Sequence, residues 1–194
     1  MIRELVERCR SFRRFFEDEA VDRDTLRGLV ALARLAPTAA NLQPLKYVIS
    51  CEPETNLKVY PHLRWAGYLK DWPGPGEGER PPAFIIILLD REISETVDCD
   101  HGIAAQTMLL GAAEAGLGGC IISNIDRDGL TAALGIPGRF RILLAVAVGR
   151  PRETVRMEPL RPGGEVRYWR DSAGVHHVPK RGLDDLIVEL PARK

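Results

Sequence analysis

The sequence predicts a single domain that mixes helices and strands, of α+β or α/β class. Three observations carry that expectation. Ala83–Leu89 and Phe140–Val148 are continuous apolar runs, the mark of strands buried on both faces. Elsewhere apolar residues recur at helical spacing, as in Leu26, Leu29, Val30, Ala33 and Ala36. The 194 residues are enough for one substantial core and show no internal repeat.

Taken in order, residues 2–9 read as a short amphipathic helix leading into a basic run. A second helix follows from Asp24 and ends before Pro37, because the residue preceding a proline is pushed out of the helical region. Leu45–Cys51 alternates as a strand does, and residues 54–60 fit a short helix. From Pro61 to Pro82 the chain is rich in Trp, Gly and Pro. Its centre, Trp72-Pro73-Gly74-Pro75-Gly76-Glu77-Gly78, excludes regular structure and predicts a mobile surface loop. After the strand at 83–89, Asp98 or Asp100 is placed to cap an Ala- and Gly-rich helix that runs through Gln106, Leu110 and Ala113 to a stop at Gly116. Gly118–Ile122 reads as a strand, and Asp126 caps a helix reaching Leu134. The strand at 140–148 is closed by Gly149-Arg150-Pro151. The polar tail beyond it is too poor in apolar surface for a second domain, and a last helix is expected near 182–189.

Composition removes several classes of function. Lys plus Arg and Asp plus Glu are 27 each, so the chain lacks the basic excess of a nucleic-acid binder. No apolar run approaches the roughly 18 residues of a membrane span. Met1 leads into charged residues rather than a signal-peptide core, so the expected location is the cytoplasm. Cys9, Cys51, Cys99 and Cys120 are scattered with no Cys-x-x-Cys, which reads as reduced thiols and no structural metal. Asp98-Cys99-Asp100-His101 has ligand-type residues, but adjacent positions at a helix start point different ways.

Three segments could carry chemistry. Arg10-Ser11-Phe12-Arg13-Arg14-Phe15 concentrates guanidinium groups and a hydroxyl suited to a compact anion, although alone it also fits a solvated turn anchored by Phe12 and Phe15. Ala36-Pro37-Thr38-Ala39-Ala40-Asn41-Leu42-Gln43-Pro44 has no charge, little bulk and two carboxamides, so it can lie against a planar heterocycle and pair with its edge. Alone, it also fits a capped helix end with a tight turn. Cys120–Asp126 ends a strand in two small polar residues, Ser123 and Asn124, whose backbone can meet a ligand or merely connect. There is no P-loop, no G-x-G-x-x-G, no Ser–His pair and no carboxylate pair. An enzyme without its own acid, base or nucleophile takes its chemistry from a cofactor.

In this order the segments resemble the nitroreductase family of FMN-dependent oxidoreductases. Gly116-Leu117-Gly118-Gly119-Cys120, Gly149-Arg150-Pro151 and Pro179-Lys180-Arg181 complete the pattern. The resemblance covers nearly the whole chain. It implies one α+β domain over 1–194, a mostly antiparallel sheet flanked by helices, with an insertion near 61–82. It also implies an intertwined homodimer in which an extension from about 151 embraces the partner. By the same resemblance Arg10, Ser11 and Arg13 serve the FMN phosphate and pyrimidine edge. Pro37, Thr38, Ala39, Ala40 and Asn41 line the ring from the partner subunit, with Gln43 nearby. Ser123 and Asn124 approach N5, and Lys180 and Arg181 contact the phosphate. No side chain is expected to be catalytic. The implied activity is ping-pong transfer of hydride from NADH or NADPH through flavin N5 to a nitroaromatic, quinone or related small acceptor. Ene reduction, dehalogenation, flavin destruction, non-catalytic FMN binding, and no flavin at all with the arginines binding another anion are the alternatives, and neither nucleic acid nor membrane is an expected partner. Two departures stand out. Cys9 occupies a position where many members carry a second Arg or Lys, and Ser123-Asn124 replaces a common Gly-Gly or Glu-Gly.

Overall fold

The structure, a computed structural model, describes residues 1–190, so the last four positions of the expected domain lie outside the described residues. Its centre is a four-stranded sheet in the order β1 (Leu45–Ser50), β2 (Ala83–Asp90), β4 (Phe140–Gly149), β3 (Gly118–Ile122), antiparallel at every pairing. This settles α+β over α/β. The inner strands β2 and β4 are the two apolar runs, and all eight residues of β2 are buried. A register shift opposite Ile87 and Leu88 places Ile142 in one core and Leu144 in the other.

Those two cores occupy the two faces of the sheet. On one face α2 (Arg23–Ala33) and α4 (Asp100–Glu114) pack Leu26, Leu29, Ala105 and Met108 against Ile85, Ile87 and Val146. Gly111 permits that contact, since a Cβ there would lie 2.4 Å from Leu32 Cδ1. On the other face Val59 of α3 (Pro53–Val59), Leu130 of α5 (Arg127–Leu134), Leu63 and Trp65 cover Phe84, Ile86 and Ala147. A short helix α1 (Ile2–Arg8) precedes the basic run.

Several expected boundaries shift for identifiable reasons. α2 is capped by Asp22, whose carboxylate accepts from the Thr25 N–H at 2.7 Å, and it ends three residues before Ala36. Asp126 caps α5 as expected. Neither Asp98 nor Asp100 caps α4: Cys99 holds that position, and the buried Asp100 carboxylate accepts from the Ala39 N–H at 3.1 Å instead. The 61–82 segment lacks strands and long helices, but it is packed rather than a loose surface loop. Trp65, Gly74 and Pro75 are buried, and Tyr60 donates to the Pro75 carbonyl at 2.6 Å. The helix expected near 182–189 is a single turn at 183–186, and Leu183, Leu186, Ile187, Val188 and Leu190 are exposed. Without an apolar surface to pack on, so short a segment gains too little to pass the cost of helix nucleation.

The tail before that turn forms a second sheet, β5 (Val155–Pro159), β7 (His176–Lys180) and β6 (Trp169–Arg170), with β7 between parallel β5 and antiparallel β6. Among the described residues no helix is long and apolar enough to cross a membrane.

Candidate functional site

The basic run lies along the outer edge of β3. Ser11 bridges Gly119, and Phe12 N–H donates to the Gly119 carbonyl at 3.0 Å. Glycine is required for this approach. A Cβ at Gly118 would sit 2.5 Å from Phe12 Cδ2, whereas Gly119 serves the pairing with β4, where a Cβ would sit 2.3 Å from the Ala147 carbonyl oxygen. Phe15, fully buried, pins the other end of the run.

That docking places Arg13 with Ser123 and Asn124 in one small cleft of about 120 Å³, completed by Arg64, Trp65, Ala66 and β3. The Ser123 carbonyl accepts from Arg127 Nη2 at 3.1 Å, and the Asn124 carbonyl accepts from the Arg64 N–H at 3.0 Å.

The tail sheet closes the opposite side. Glu153, its carboxylate buried, accepts from the backbone N–H groups of Arg13 and Arg14 and from Arg170 Nη2 at 2.9 Å. The Arg13 guanidinium lies 5.0 Å from the Tyr168 ring centroid, with Nη1 3.2 Å from both the Ser11 carbonyl and His176 Nε2. Tyr168 also packs on Tyr68 of the 61–82 segment, ring centroids 4.9 Å apart. Burial, reinforced by the Arg13 and Arg170 charges, lowers the His176 pKa to about 4, so the ring is neutral and Nε2 accepts from Arg13. The neighbouring His177 shifts the other way, raised by hydrogen bonds to Asp171 at 3.0 Å and Glu158 at 2.7 Å. Arg14 is committed to Glu79.

The remaining expected residues lie elsewhere. Arg10 turns back on the Val6 and Cys9 carbonyls and the Met157 sulfur. Lys180 and Arg181 end β7, exposed. Pro37, Thr38, Ala39, Ala40, Asn41 and Gln43 sit before β1, at the far edge of the sheet from β3, and all but Thr38 are exposed. One chain therefore does not bring this loop to Arg13. Its backbone is unusual. Among the described residues four non-glycine positions have positive φ: Ala40 (48°), Asn41 (54°) and Gln43 (53°) in the loop, and Ala66 (38°) in the Arg13 cleft. Left-handed backbone costs an L-residue about 1–2 kcal/mol, and such strain clusters at functional sites.

Sequence reasoning missed Ala66, Tyr168, His176 and Glu153 as neighbours of Arg13 or of its cleft. The aromatic and histidine density of 168–177 was the available signal, but nothing local says that the tail folds back onto residue 13.

Comparison with known proteins places the chain among its relatives. The model of the Nitroreductase family matches residues 6–74 and 76–150, and the chain belongs to that family. It resembles the FMN-dependent nitroreductase of Clostridium difficile R20291 with a TM-score of 0.62 and 22% identity, over 77% of this chain and 87% of that one. It also resembles CLA-ER, an enone reductase of gut-bacterial fatty acid saturation metabolism, with a TM-score of 0.64 and 18% identity over 78% and 89%. A 5,6-dimethylbenzimidazole synthase of Rhodospirillum rubrum is 24% identical over 72% of this chain and 77% of its own. The chain is thus a nitroreductase-family oxidoreductase by class. The tail sheet lies beyond the matched residues.

Proposed function

We propose that the protein is an FMN-dependent NAD(P)H oxidoreductase whose flavin sites lie between two copies of the chain. The observation that carries this reading is the distribution of strain. All four left-handed non-glycine residues fall either in the Arg13 cleft or in the amide-rich loop at the other edge. Strain kept on an exposed loop points to a surface shaped to meet something.

The residues present fit a flavin. The cleft of about 120 Å³ falls well below the 300–1,000 Å³ of a complete small-molecule site, so it suits one edge of a ring system. Arg13 supplies the cation for the electron-rich pyrimidine edge, and the turn at Ser123 and Asn124 supplies N–H donors for the ring centre. Ala39, Ala40 and Asn41 of the second copy would cover the ring, their small side chains permitting close approach. Ser11, Lys180 and Arg181 are exposed and available to the phosphate, with Lys180 and Arg181 contributing charge where Cys9 contributes none. Trp65 lines the cleft and would restrict which acceptors reach the ring. The chemistry the bound cofactor supplies is hydride transfer from NAD(P)H through N5 to a nitroaromatic, quinone or related acceptor, the two substrates visiting in turn. No side chain of the cleft is needed as acid or base.

Support for FMN comes from family membership and from the FMN-dependent relative. The enone reductase and the benzimidazole synthase favour a second reading, in which the same flavin site serves ene reduction or another flavin reaction. The visible spectrum of the purified protein tests the proposal. Oxidised-flavin bands that bleach on addition of NADH or NADPH are expected. A preparation that stays colourless after FMN is added contradicts it. An acceptor panel of nitroaromatics, quinones and enones then separates the two readings.

A further inference from the structure

A second cleft, of about 460 Å³, opens at the β1–β2 edge of the sheet and shares no residue with the Arg13 cleft. Phe84 of β2 lines it, whereas Cys120 of the Arg13 cleft lies on β3, two strand spacings away, roughly 10 Å. Its volume is within the range of small-molecule sites. The walls are mainly apolar, built from Pro53 and Leu57 of α3 and from Pro81, Pro82 and Phe84.

Its polar groups are few and unequal. Arg80 lies with its guanidinium 4.9 Å from the Tyr60 ring centroid. Among the described residues no carboxylate pairs with it, and its Nε is buried without a hydrogen-bond partner. Arg80 lines the cleft, so an anionic ligand there would meet the outer nitrogens of its guanidinium rather than the buried Nε. The other polar lining groups close off the internal options. Asn56 is committed to the Pro82 carbonyl at 2.6 Å and to the Ser50 hydroxyl at 2.7 Å. Glu17 Oε2 accepts from the Gly78 and Arg80 backbone N–H groups at 2.6 and 3.2 Å. Glu77 is exposed and forms no ion pair among the described residues.

The cleft therefore presents one cation with no carboxylate partner among the described residues, two carboxylates and an apolar wall. A dianion such as phosphate would gain Arg80 but meet both glutamates. A simple cation would leave Arg80 unpaired. We propose that this cleft binds a small zwitterion with an apolar body, of the amino-acid class, its carboxylate on Arg80 and its ammonium toward Glu77 and Glu17. The site is independent of the flavin reading, and its failure would leave that reading untouched.

Trp65 lies 6.0 Å from Tyr60 but also lines the Arg13 cleft, so a change in its emission is assigned to the second cleft only where Arg80→Met removes it. The full chain, as purified, is titrated with L-phenylalanine, 3-phenylpropionate and phenethylamine, which share a body and differ in charge. Fluorescence and calorimetry are read together. Saturable binding of L-phenylalanine is expected, about tenfold or more tighter than either singly charged analogue. Arg80→Met should weaken it about tenfold or more, and Glu77→Gln, a surface change that leaves folding alone, should narrow the gap between L-phenylalanine and 3-phenylpropionate. Equal binding of 3-phenylpropionate, L-phenylalanine affinity unmoved by both substitutions, or no binding of any of the three would overturn the proposal.

Discussion

The two edges of the main sheet handle their polar groups in opposite ways. Along β3, charged groups are gathered and cross-linked: Glu153 joins Arg13, Arg14 and Arg170, and Arg13 is further held by Ser11 and His176. Before β1, the loop from Pro37 to Gln43 carries no charge, is mostly exposed and keeps three residues in left-handed backbone. One side chain from the rest of the fold, Asp100, holds it, through the Ala39 N–H. The contrast teaches that the β3 edge is built to fix a guanidinium in place, while the β1 edge is built to present a surface. Each is half of what a flavin ring requires, and a second copy of the chain would unite them.

The largest expected effect falls on the anchored side. Glu153→Ala leaves Arg170 and two backbone N–H groups unpaired in a buried setting, and should destabilise the protein by about 3–5 kcal/mol in urea titrations. A loss below about 1 kcal/mol would mean that the tail is not clamped there. Next, Arg13→Ala should weaken FMN binding by about 1–3 kcal/mol, read by quenching of flavin fluorescence. Unchanged affinity would remove Arg13 from the site.

His176 gives a pH signature of the same edge. Its folded pKa, about 4, is below the unfolded value of 6.5, so the unfolded chain binds the extra proton between those limits. Stability contributed by the neutral ring is fully present above pH 6.5 and falls as pH drops toward 4, by an amount on the order of 1–3 kcal/mol. His177 has the opposite sign: its raised pKa contributes stability below 6.5 that is lost as pH rises through the folded value. Replacing His176 with Gln should flatten the acid-side loss between pH 4.5 and 6.5. An unaltered slope would place its origin elsewhere.

The smallest effect belongs to the presented loop. Ala40→Gly removes a left-handed alanine and should stabilise the flavin-free protein by up to about 1 kcal/mol, because relief of strain outweighs the added chain entropy. The same change should not strengthen FMN binding. Destabilisation of the flavin-free protein would show that the loop is unstrained.

Much of this was legible in the sequence. β2 and β4 announced themselves because a strand buried on both faces must be apolar throughout, and the Asp126 cap and the Gly116 stop follow local rules. The strained loop was visible as a lack of charge and bulk, though not its dihedral angles. What escaped depends on distant contacts. Asp100 reads as a helix cap until the fold brings Ala39 to it. The Gly/Pro segment looks loose until Trp65 finds the sheet. The tail reads only as a polar extension, too poor in apolar surface for a domain of its own, until Glu153 and His176 meet Arg13. Residues 182–189 erred in the other direction: helical spacing alone does not make a helix where no surface receives it.

The central claim, a site shared between two chains, can be tested by mixing defects. Chains carrying Arg13→Ala and chains carrying Ala39→Trp should each bind FMN weakly as separate preparations. Co-expressed, they form mixed pairs in which the loop of the first meets the intact Arg13 of the second. The account predicts that FMN binding returns, up to one tightly held flavin per mixed pair. A mixture that binds no more FMN than the average of its two components would contradict it.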